Sequence, residues 1–215
     1  MAGFRVVCIS RAFAAGGEAV GEAVAQELGF RYIDELIIAR AAQQARVDPV
    51  LVAAAEQRQP LLRRLLAALP NARDLAAAVT LAPSAGHGHA DSYRAEADEM
   101  RTMIRAAIHE VARAGEAVIV AHAASMALAG AESVLRVLVT ASPAVRAQRL
   151  AAAEGLGTAE AKAAIASSDR ERREYFKRFY GVHEEHPTHY DLTVCTDGLS
   201  PAGAAAIILA AARGR

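Results

Sequence analysis

Residues 4–21 read FRVVCISRAFAAGGEAVG, and this stretch decides the fold. The run from Phe4 to Ile9 is nearly continuous in apolar side chains and rich in β-branched residues, as is typical of a parallel strand covered on both faces. The small-residue loop SRAFAAGG follows. Apolar residues then recur at helical spacing at Val20, Val24 and Leu28, and Gly29 is a suitable residue to end a helix. The order is strand, small-residue loop, helix, with the strand expected at the centre of a sheet.

Further along the chain, apolar runs alternate with helical patterns. Four more strands are predicted, at Phe30–Ile33, in AVIVAH (117–122), at Val134–Ala141 and in YDLTVCTD (190–197), the last as an edge strand. Ser142-Pro143 and Ser200-Pro201 have the residues of a helix N-cap and first turn. Strands that alternate with helices favour a three-layer α/β/α fold with a five-stranded parallel sheet. Ligands of such sheets bind beyond the carboxyl ends of the strands.

Length and composition favour one cytosolic domain. The chain has 215 residues, with 24 Lys and Arg against 24 Asp and Glu, so one domain spanning 1–215 is expected and no basic field would attract a nucleic acid polymer or an anionic membrane. No apolar stretch is long enough for a membrane span, and no secretory leader pattern is present. Cys8 and Cys195 lie in predicted strands, where cysteine is typically a small buried hydrophobe rather than half of a disulfide. The oligomeric state is left open.

The first loop has the layout of a phosphate site but not its full motif. Small residues between a strand and a helix allow successive backbone N–H groups to face one anion at the positive end of the helix. In the register that places Gly17 at the second glycine of GxxxxGK[ST], Ala12 replaces the first glycine, Glu18 the lysine and Ala19 the hydroxyl residue. A turn that merely allows close packing of strand and helix is the alternative.

Several segments, taken together, resemble the cytidylate-kinase-like family, a group of the P-loop nucleoside monophosphate kinase type. The matching segments are SRAFAAGGEAVG, ELGFRYIDELI, AVIVAH with AASM after it, VLVTASPAVRAQRL, SSDRERREYF and YDLTVCTDGLS. The resemblance covers nearly the whole chain and is weakest from about Val50 to Ser92. The segment from Asp48 to about Asp91 is predicted to be a helical insertion with a mobile loop. The resemblance implies a P-loop kinase-like fold with an acceptor-binding helical region at about 34–113 and a basic lid at about 155–180.

The resemblance implies a function and a set of site residues. The function is transfer of a phosphoryl group from ATP, with Mg²⁺, to a nucleoside monophosphate such as CMP, so small-molecule nucleotides are the expected partners. The implied nucleotide-binding residues are Arg11, Ala14, Ala15, Gly16, Gly17, Glu18 and Ala19, with backbone N–H groups from Ala14 to Glu18 on the donor phosphates. The implied acceptor-binding residues are Asp34, Arg40, His122, Asp169 and Arg172, and the implied catalytic arginines are Arg170 and Arg172. For Arg172, a solvated helix face paired to Glu171 or Glu174 is the alternative.

Two departures from the family pattern leave a second function open. Where the family has Gly-Arg, this chain has Ala121-His122, and where it has a cation in the first loop, this chain has Glu18. His122 can still donate a hydrogen bond to phosphate, whereas a carboxylate facing phosphates repels them unless it turns outward or a magnesium ion intervenes. A catalytically weak or inactive nucleotide-binding or regulatory protein that retains the kinase fold is therefore the alternative.

Two other groups of residues do not indicate a metal site or a catalytic nucleophile. His183, His186 and His189 are spaced three apart around Pro187, which fits neither a zinc-protease helix nor a zinc finger, so no metal site is assigned to protein side chains. Ser10, Ser125 and Cys195 lack a nucleophile elbow, so acyl-enzyme chemistry is not indicated.

Overall fold

The computed structural model of the chain describes residues 3–34, 90–121 and 123–214, with side-chain surroundings in the second range from residue 102 onward. The chain divides into two compact units, Met1–Glu35 with Ala112–Arg215 and, separately, Leu36–Val111. Arg40, His122 and most of the predicted insertion lie outside the described residues. The predicted single domain and its acceptor region therefore stay predictions.

The larger unit contains five strands and most of the described helices. In chain order the elements are β1 (Val6–Arg11), α1 (Gly17–Leu28), β2 (Arg31–Asp34), α2 (Ala90–Ala114, which begins in the second unit), β3 (Ala117–Val120), α3 (Ala124–Ala127), β4 (Val134–Thr140), α4 (Pro143–Glu154), α5 (Thr158–Tyr180), a 3-10 turn (Pro187–His189), β5 (Leu192–Cys195) and α6 (Pro201–Arg213). Among the described residues, no helix is both long enough and apolar enough to cross a membrane.

The five strands form one parallel sheet in the order β2-β3-β1-β4-β5. The predicted α/β fold is therefore confirmed, with β1 at the centre and β5 at an edge. The first strand is longer than its apolar run, because its pairing with β4 continues as far as Arg11 opposite Val139. Since all strands are parallel, Arg11, Asp34, Val120, Thr140 and Cys195 end at the same edge.

Apolar side chains cover both faces of this sheet. Val7 and Ile9 of β1 lie in a buried cluster with Val20 and Val24 of α1 and Ile208 of α6. Cys8, which points to the opposite face because side chains alternate along a strand, accepts a hydrogen bond from the Ser125 hydroxyl of α3 at 3.6 Å. Full burial of a valine or isoleucine side chain contributes about 1.5–3 kcal/mol, so these central strands supply much of the stability of the unit.

The starts of α4 and α6 follow the predicted Ser-Pro pattern, whereas α5 starts differently. The Ser142 and Ser200 side chains cap α4 and α6, each with proline in the first turn. The N-cap of α5 is Gly157, which has no side chain to accept a hydrogen bond. The Glu160 carboxylate accepts the Gly157 N–H at 3.0 Å, so a residue of the first turn satisfies the helix start and no hydroxyl is needed there.

The two cysteines differ in burial. Both are free, and Cys8 is buried whereas Cys195 is exposed. The expectation of a buried Cys195 was wrong because β5 is an edge strand whose residues alternate, with Val194 in the core and Cys195 facing outward. Burial raises the pKa of the Cys8 thiol to about 12, against a smaller opposing effect of its hydrogen bond with Ser125.

Candidate functional site

The candidate site is the loop of residues 12–16, which joins the carboxyl end of β1 to the amino end of α1. Its backbone alternates in hand: Ala14 and Gly16 have φ angles of 59° and 80°, and the residues between and before them have negative φ. Alternation of the sign of φ between neighbouring residues is a feature of anion-binding nests, in which N–H groups turn toward a common point. The Ala15 N–H closes a turn within the loop by donating to the Ala12 carbonyl at 3.1 Å. The first turn of α1 adds its own N–H groups, since no side chain caps this helix.

Gly16 and Gly17 are each needed at their position, for different structural reasons. Gly16 occupies the left-handed region, which disfavours a side chain. Gly17 has negative φ, but a Cβ placed there would lie 2.6 Å from Cβ of Arg11. The stem of the Arg11 side chain therefore packs directly on the start of α1, and only glycine leaves room for it.

Glu18 does not present an unpaired carboxylate to the loop. Its Oε1 accepts a hydrogen bond from Nε of Arg11 at 2.5 Å, with the two side chains 52% and 15% exposed, respectively. The cation that the family pattern places after the second glycine is thus absent, but Arg11 brings a guanidinium to the same helix end. This ion pair was not predicted from the sequence, although both residues were assigned to the nucleotide loop.

Arg172 lies in the interior and not on a solvated helix face. Its guanidinium makes two hydrogen bonds to the Glu185 carboxylate, at 2.8 and 2.7 Å, and donates to the Ser10 hydroxyl and to the Arg11 carbonyl, both at 2.9 Å. It also lies 4.6 Å from the centre of the Phe176 ring. The predicted alternative, a pairing with Glu171 or Glu174, is wrong because the acid of this pair comes from beyond the end of α5.

The acidic partner of Arg172 is itself part of a buried network. The Tyr190 hydroxyl donates to Glu185 Oε1 and lies 3.4 Å from the Ser10 hydroxyl. Burial alone would raise the pKa of Glu185, but the hydrogen bonds and charge of Arg172 outweigh it and lower that pKa. Burial and the nearby Glu185 carboxylate raise the pKa of Tyr190. The network therefore holds an ionised Glu185 and a neutral Tyr190 against the base of the loop.

Asp169 is paired with an arginine that the sequence analysis did not single out. Arg146 of α4 makes two hydrogen bonds to the Asp169 carboxylate, at 2.8 and 2.7 Å, and further bonds to the carbonyls of Ala141 at 3.0 Å and Phe13 at 3.4 Å. Its neighbour one turn on, Arg149, donates to Thr196 and, at 3.4 Å, to the Ala15 carbonyl. The sequence offered one signal for Arg146 and Arg149: residues three apart on a helix share one face, and this helix starts at the carboxyl edge of the sheet.

The remaining predicted residues are dispersed. Arg170 is exposed on α5, where it donates to the Ser167 hydroxyl at 3.1 Å. Asp34 ends β2 at the carboxyl edge, two strands from β1. His186 and His189 pack ring against ring at the 3-10 turn, and within the part of the chain that the structure describes no three His, Cys, Asp or Glu residues cluster closely enough to hold a metal ion.

Solved structures with a similar fold include an uncharacterized protein and a shikimate kinase. An uncharacterized protein from Eubacterium ventriosum ATCC 27560 superposes with a TM-score of 0.66 at 14% identity, covering 98% of this chain and 99% of its own. Shikimate kinase from Bacteroides thetaiotaomicron gives a TM-score of 0.50 at 15% identity, with 94% and 95% covered. At these identities the likeness concerns the fold alone. No curated protein matches the chain at a significant level.

The sequence itself matches a family model over most of its length. The match runs over residues 6–198 and is to the cytidylate kinase-like family. It includes the loop, both loop-facing arginines of α4, and all of α5. The chain, with its nucleotide kinase-like fold and a nest at the end of its central strand, belongs to the cytidylate kinase-like family.

Proposed function

We propose that this protein is a nucleotide kinase that transfers the terminal phosphoryl group of ATP to a nucleoside monophosphate of the CMP kind. The observation that carries the proposal is the loop of residues 12–16, whose alternating backbone and uncapped helix end suit a chain of phosphates. Membership of the cytidylate kinase-like family supplies the substrate class. Phosphoryl transfer depends on positioning and charge neutralisation more than on covalent catalysis, so the proposal requires no protein nucleophile.

The donor side of the proposed site uses main-chain groups and one arginine. The N–H groups of Ala14 and of Gly16 to Glu18 hold the phosphates, whereas that of Ala15 donates to the Ala12 carbonyl at 3.1 Å. Arg11 is the nearby cation, and its guanidinium, now held by Glu18, turns to the phosphate oxygens when nucleotide enters. Mg²⁺ fits this donor set because it characteristically binds one or two carboxylates together with substrate phosphates, and Glu18 supplies a carboxylate at the loop. The ion would neutralise charge on the transferred group.

The residues of the acceptor side are proposed from the family resemblance. Asp34 at the end of β2, with Arg40 and His122, is proposed to bind the nucleoside monophosphate. Arg170, exposed on α5, is proposed as the lid arginine that meets the phosphates during transfer. Closure of a lid over such a site excludes water, which would otherwise compete as the acceptor.

A second candidate function is nucleotide binding without turnover, as in a regulatory protein. It is favoured by Glu18, which stands where the family has a cation, and by Asp169 and Arg172, which are already satisfied by protein partners. Both candidates use the same loop and differ only in whether a phosphoryl group moves.

A coupled ADP-release assay distinguishes the two. It is run with ATP, Mg²⁺ and a panel of CMP, UMP, AMP and GMP, beside calorimetric titration of the same ligands. Turnover with a monophosphate supports the kinase, binding without turnover supports the regulator, and neither result contradicts both.

A loop-filling variant ties any signal to the proposed site. Gly17→Ala places a methyl group against Arg11 and should abolish ATP binding. The control is Gly203→Ala in α6, where the added Cβ meets only ordinary contact, 3.4 Å from the Ser200 hydroxyl. Equal ATP binding in the two variants would place the nucleotide elsewhere.

A further inference from the structure

Three arginines donate hydrogen bonds to backbone carbonyls within residues 11–15, at the end of β1 and in the loop. Arg172 donates to the carbonyl of Arg11 at 2.9 Å, Arg146 to that of Phe13 at 3.4 Å, and Arg149 to that of Ala15 at 3.4 Å. The three accepting carbonyls belong to alternate residues, 11, 13 and 15. The Thr196 hydroxyl strengthens the last contact by donating to the Ala15 carbonyl at 2.8 Å.

Each of these arginines is fixed by a second partner. The guanidinium plane of Arg146 is held by Asp169 and that of Arg172 by Glu185, in both cases through two hydrogen bonds. Arg149 is held by the hydroxyl and carbonyl of Thr196 at 2.9 and 2.6 Å. Arg146 is only 4% exposed. A guanidinium has donors on several edges of one rigid plane, so it can bind an acid and a carbonyl at once, which lysine cannot do with the same geometry.

The contacts have a consequence for the amides of the loop. Binding of the Phe13 and Ala15 carbonyls fixes the direction of the N–H groups in the same planar peptide units, those of Ala14 and Gly16. The N–H groups of Ala12 and Ala15 instead donate to the carbonyls of Val139 and Ala12, at 3.0 and 3.1 Å. An anion gains most from such a nest when the N–H groups are already oriented before it binds.

We propose that Arg146, Arg149 and Arg172 form a clamp that holds the loop in its phosphate-binding conformation, and that Asp169 acts through Arg146 on the donor loop and not on the acceptor nucleoside. The inference rests on the proposed function for its ligand, and it reassigns Asp169 and Arg172 as positioning residues. The role expected for these two from the family resemblance, direct contact with the acceptor and with phosphates, is replaced by contacts to the loop backbone.

The test compares Asp169→Asn and Arg146→Lys with Asp191→Asn as the matched control. Asp191 makes a similar two-bond pair with Arg136 at the opposite edge of the sheet, far from the loop. The readouts are hydrogen exchange of the amides of residues 12–17, the Kd for ATP with Mg²⁺, and the KM for the monophosphate acceptor. Arg146→Lys keeps the charge and loses the two-sided geometry, so it separates positioning from electrostatics.

We expect faster exchange in residues 12–17 and about tenfold weaker ATP binding in both clamp variants, with the acceptor KM unchanged and the control like the wild type. The proposal is overturned if loop exchange stays the same, if exchange rises equally throughout the unit, or if Asp169→Asn raises the acceptor KM while ATP binding is unaltered. If the wild-type protein binds no ATP, the proposed function fails, and exchange alone decides the clamp: acceleration confined to the loop supports it, and none refutes it.

Discussion

An arginine–carboxylate ion pair lies at the carboxyl edge of the sheet and another at the amino edge, and the two pairs differ in burial. At the carboxyl edge Arg172 meets Glu185 with side-chain exposures of 9% and 20%, and at the amino edge Arg136 meets Asp191 with 22% and 35%. Arg136 of β4 is paired with Asp191, which directly precedes the edge strand β5, and Asp191 also accepts the Arg136 backbone N–H at 2.8 Å. Arg172 ties a helix to the candidate phosphate loop. Equivalent ion pairs thus close the sheet at one edge and position the site at the other.

The largest expected difference between the edges is in stability. Arg172→Ala leaves the partly buried Glu185 carboxylate with only the Tyr190 hydroxyl as donor and removes a donor from the Arg11 carbonyl, and breaking a buried pair costs about 3–5 kcal/mol. Arg136→Ala should cost about 1 kcal/mol or less, because the pair is more exposed and Asp191 retains the backbone N–H. Urea unfolding of both variants measures the two losses. Equal losses would mean that burial does not separate the two pairs.

A smaller effect is expected from protonating the buried acid. Because the pKa of Glu185 is lowered in the folded protein from its ordinary value of 4.5, its contribution is fully present above about pH 4.5 and is lost as the pH falls through the folded value. Glu185→Gln should therefore be less stable than the wild type at pH 7, with the gap narrowing below pH 4.5. The gap should be smaller than that of Arg172→Ala, since a neutral amide still accepts hydrogen bonds.

Glu184→Gln is the control for this pH dependence. The Glu184 side chain is 80% exposed and its nearest basic group, His186, is 3.9 Å away. The stability of this variant should follow that of the wild type across the same series of urea unfolding curves. A pH-independent gap for Glu185→Gln would show that the carboxylate charge of Glu185 contributes nothing.

The smallest expected effect is a difference in thiol reactivity between the cysteine of the central strand and that of the edge strand. Exposed Cys195 should react rapidly with a thiol reagent at pH 8. Buried Cys8, whose pKa is about 12, should react only as fast as the protein unfolds. Mass spectrometry should therefore show one fast label in the native protein and none in Cys195→Ser. Two fast labels would contradict the central position of β1.

The fold was predictable because local patterns and global architecture agree. The apolar runs at Val6–Ile9 and Ala117–Val120 are buried on both faces, so composition alone distinguishes them from edge strands. The Ser-Pro pairs at Ser142 and Ser200 fixed helix starts through short-range chemistry. The exposure of Cys195 was not predicted, although YDLTVCTD was predicted to be an edge strand, because the alternation does not by itself show which face of the strand is covered.

The candidate site was predictable only where it is local in sequence. The loop and its glycines follow from one stretch of chain. The partners of Arg172 and Asp169 do not, since Ser10 is 162 residues from Arg172 and Arg146 is 23 residues from Asp169. A cluster of arginines in a helix does not reveal which of them are buried, because burial depends on what packs against each face.

The central claim, that the loop binds the donor phosphates, is tested most directly by ATP affinity after charge reversal at Glu18. Glu18→Lys frees Arg11 and removes a carboxylate from the loop, so ATP titrated without Mg²⁺, where Glu18 has no ion to hold, should bind about tenfold more tightly, equivalent to ~1.4 kcal/mol. Glu22→Lys makes the same charge change one turn further along α1, about 6 Å away, and should change the affinity little. Calorimetric titration that shows tightening in Glu18→Lys alone supports the claim, and equal affinities in the wild type and both variants would contradict it.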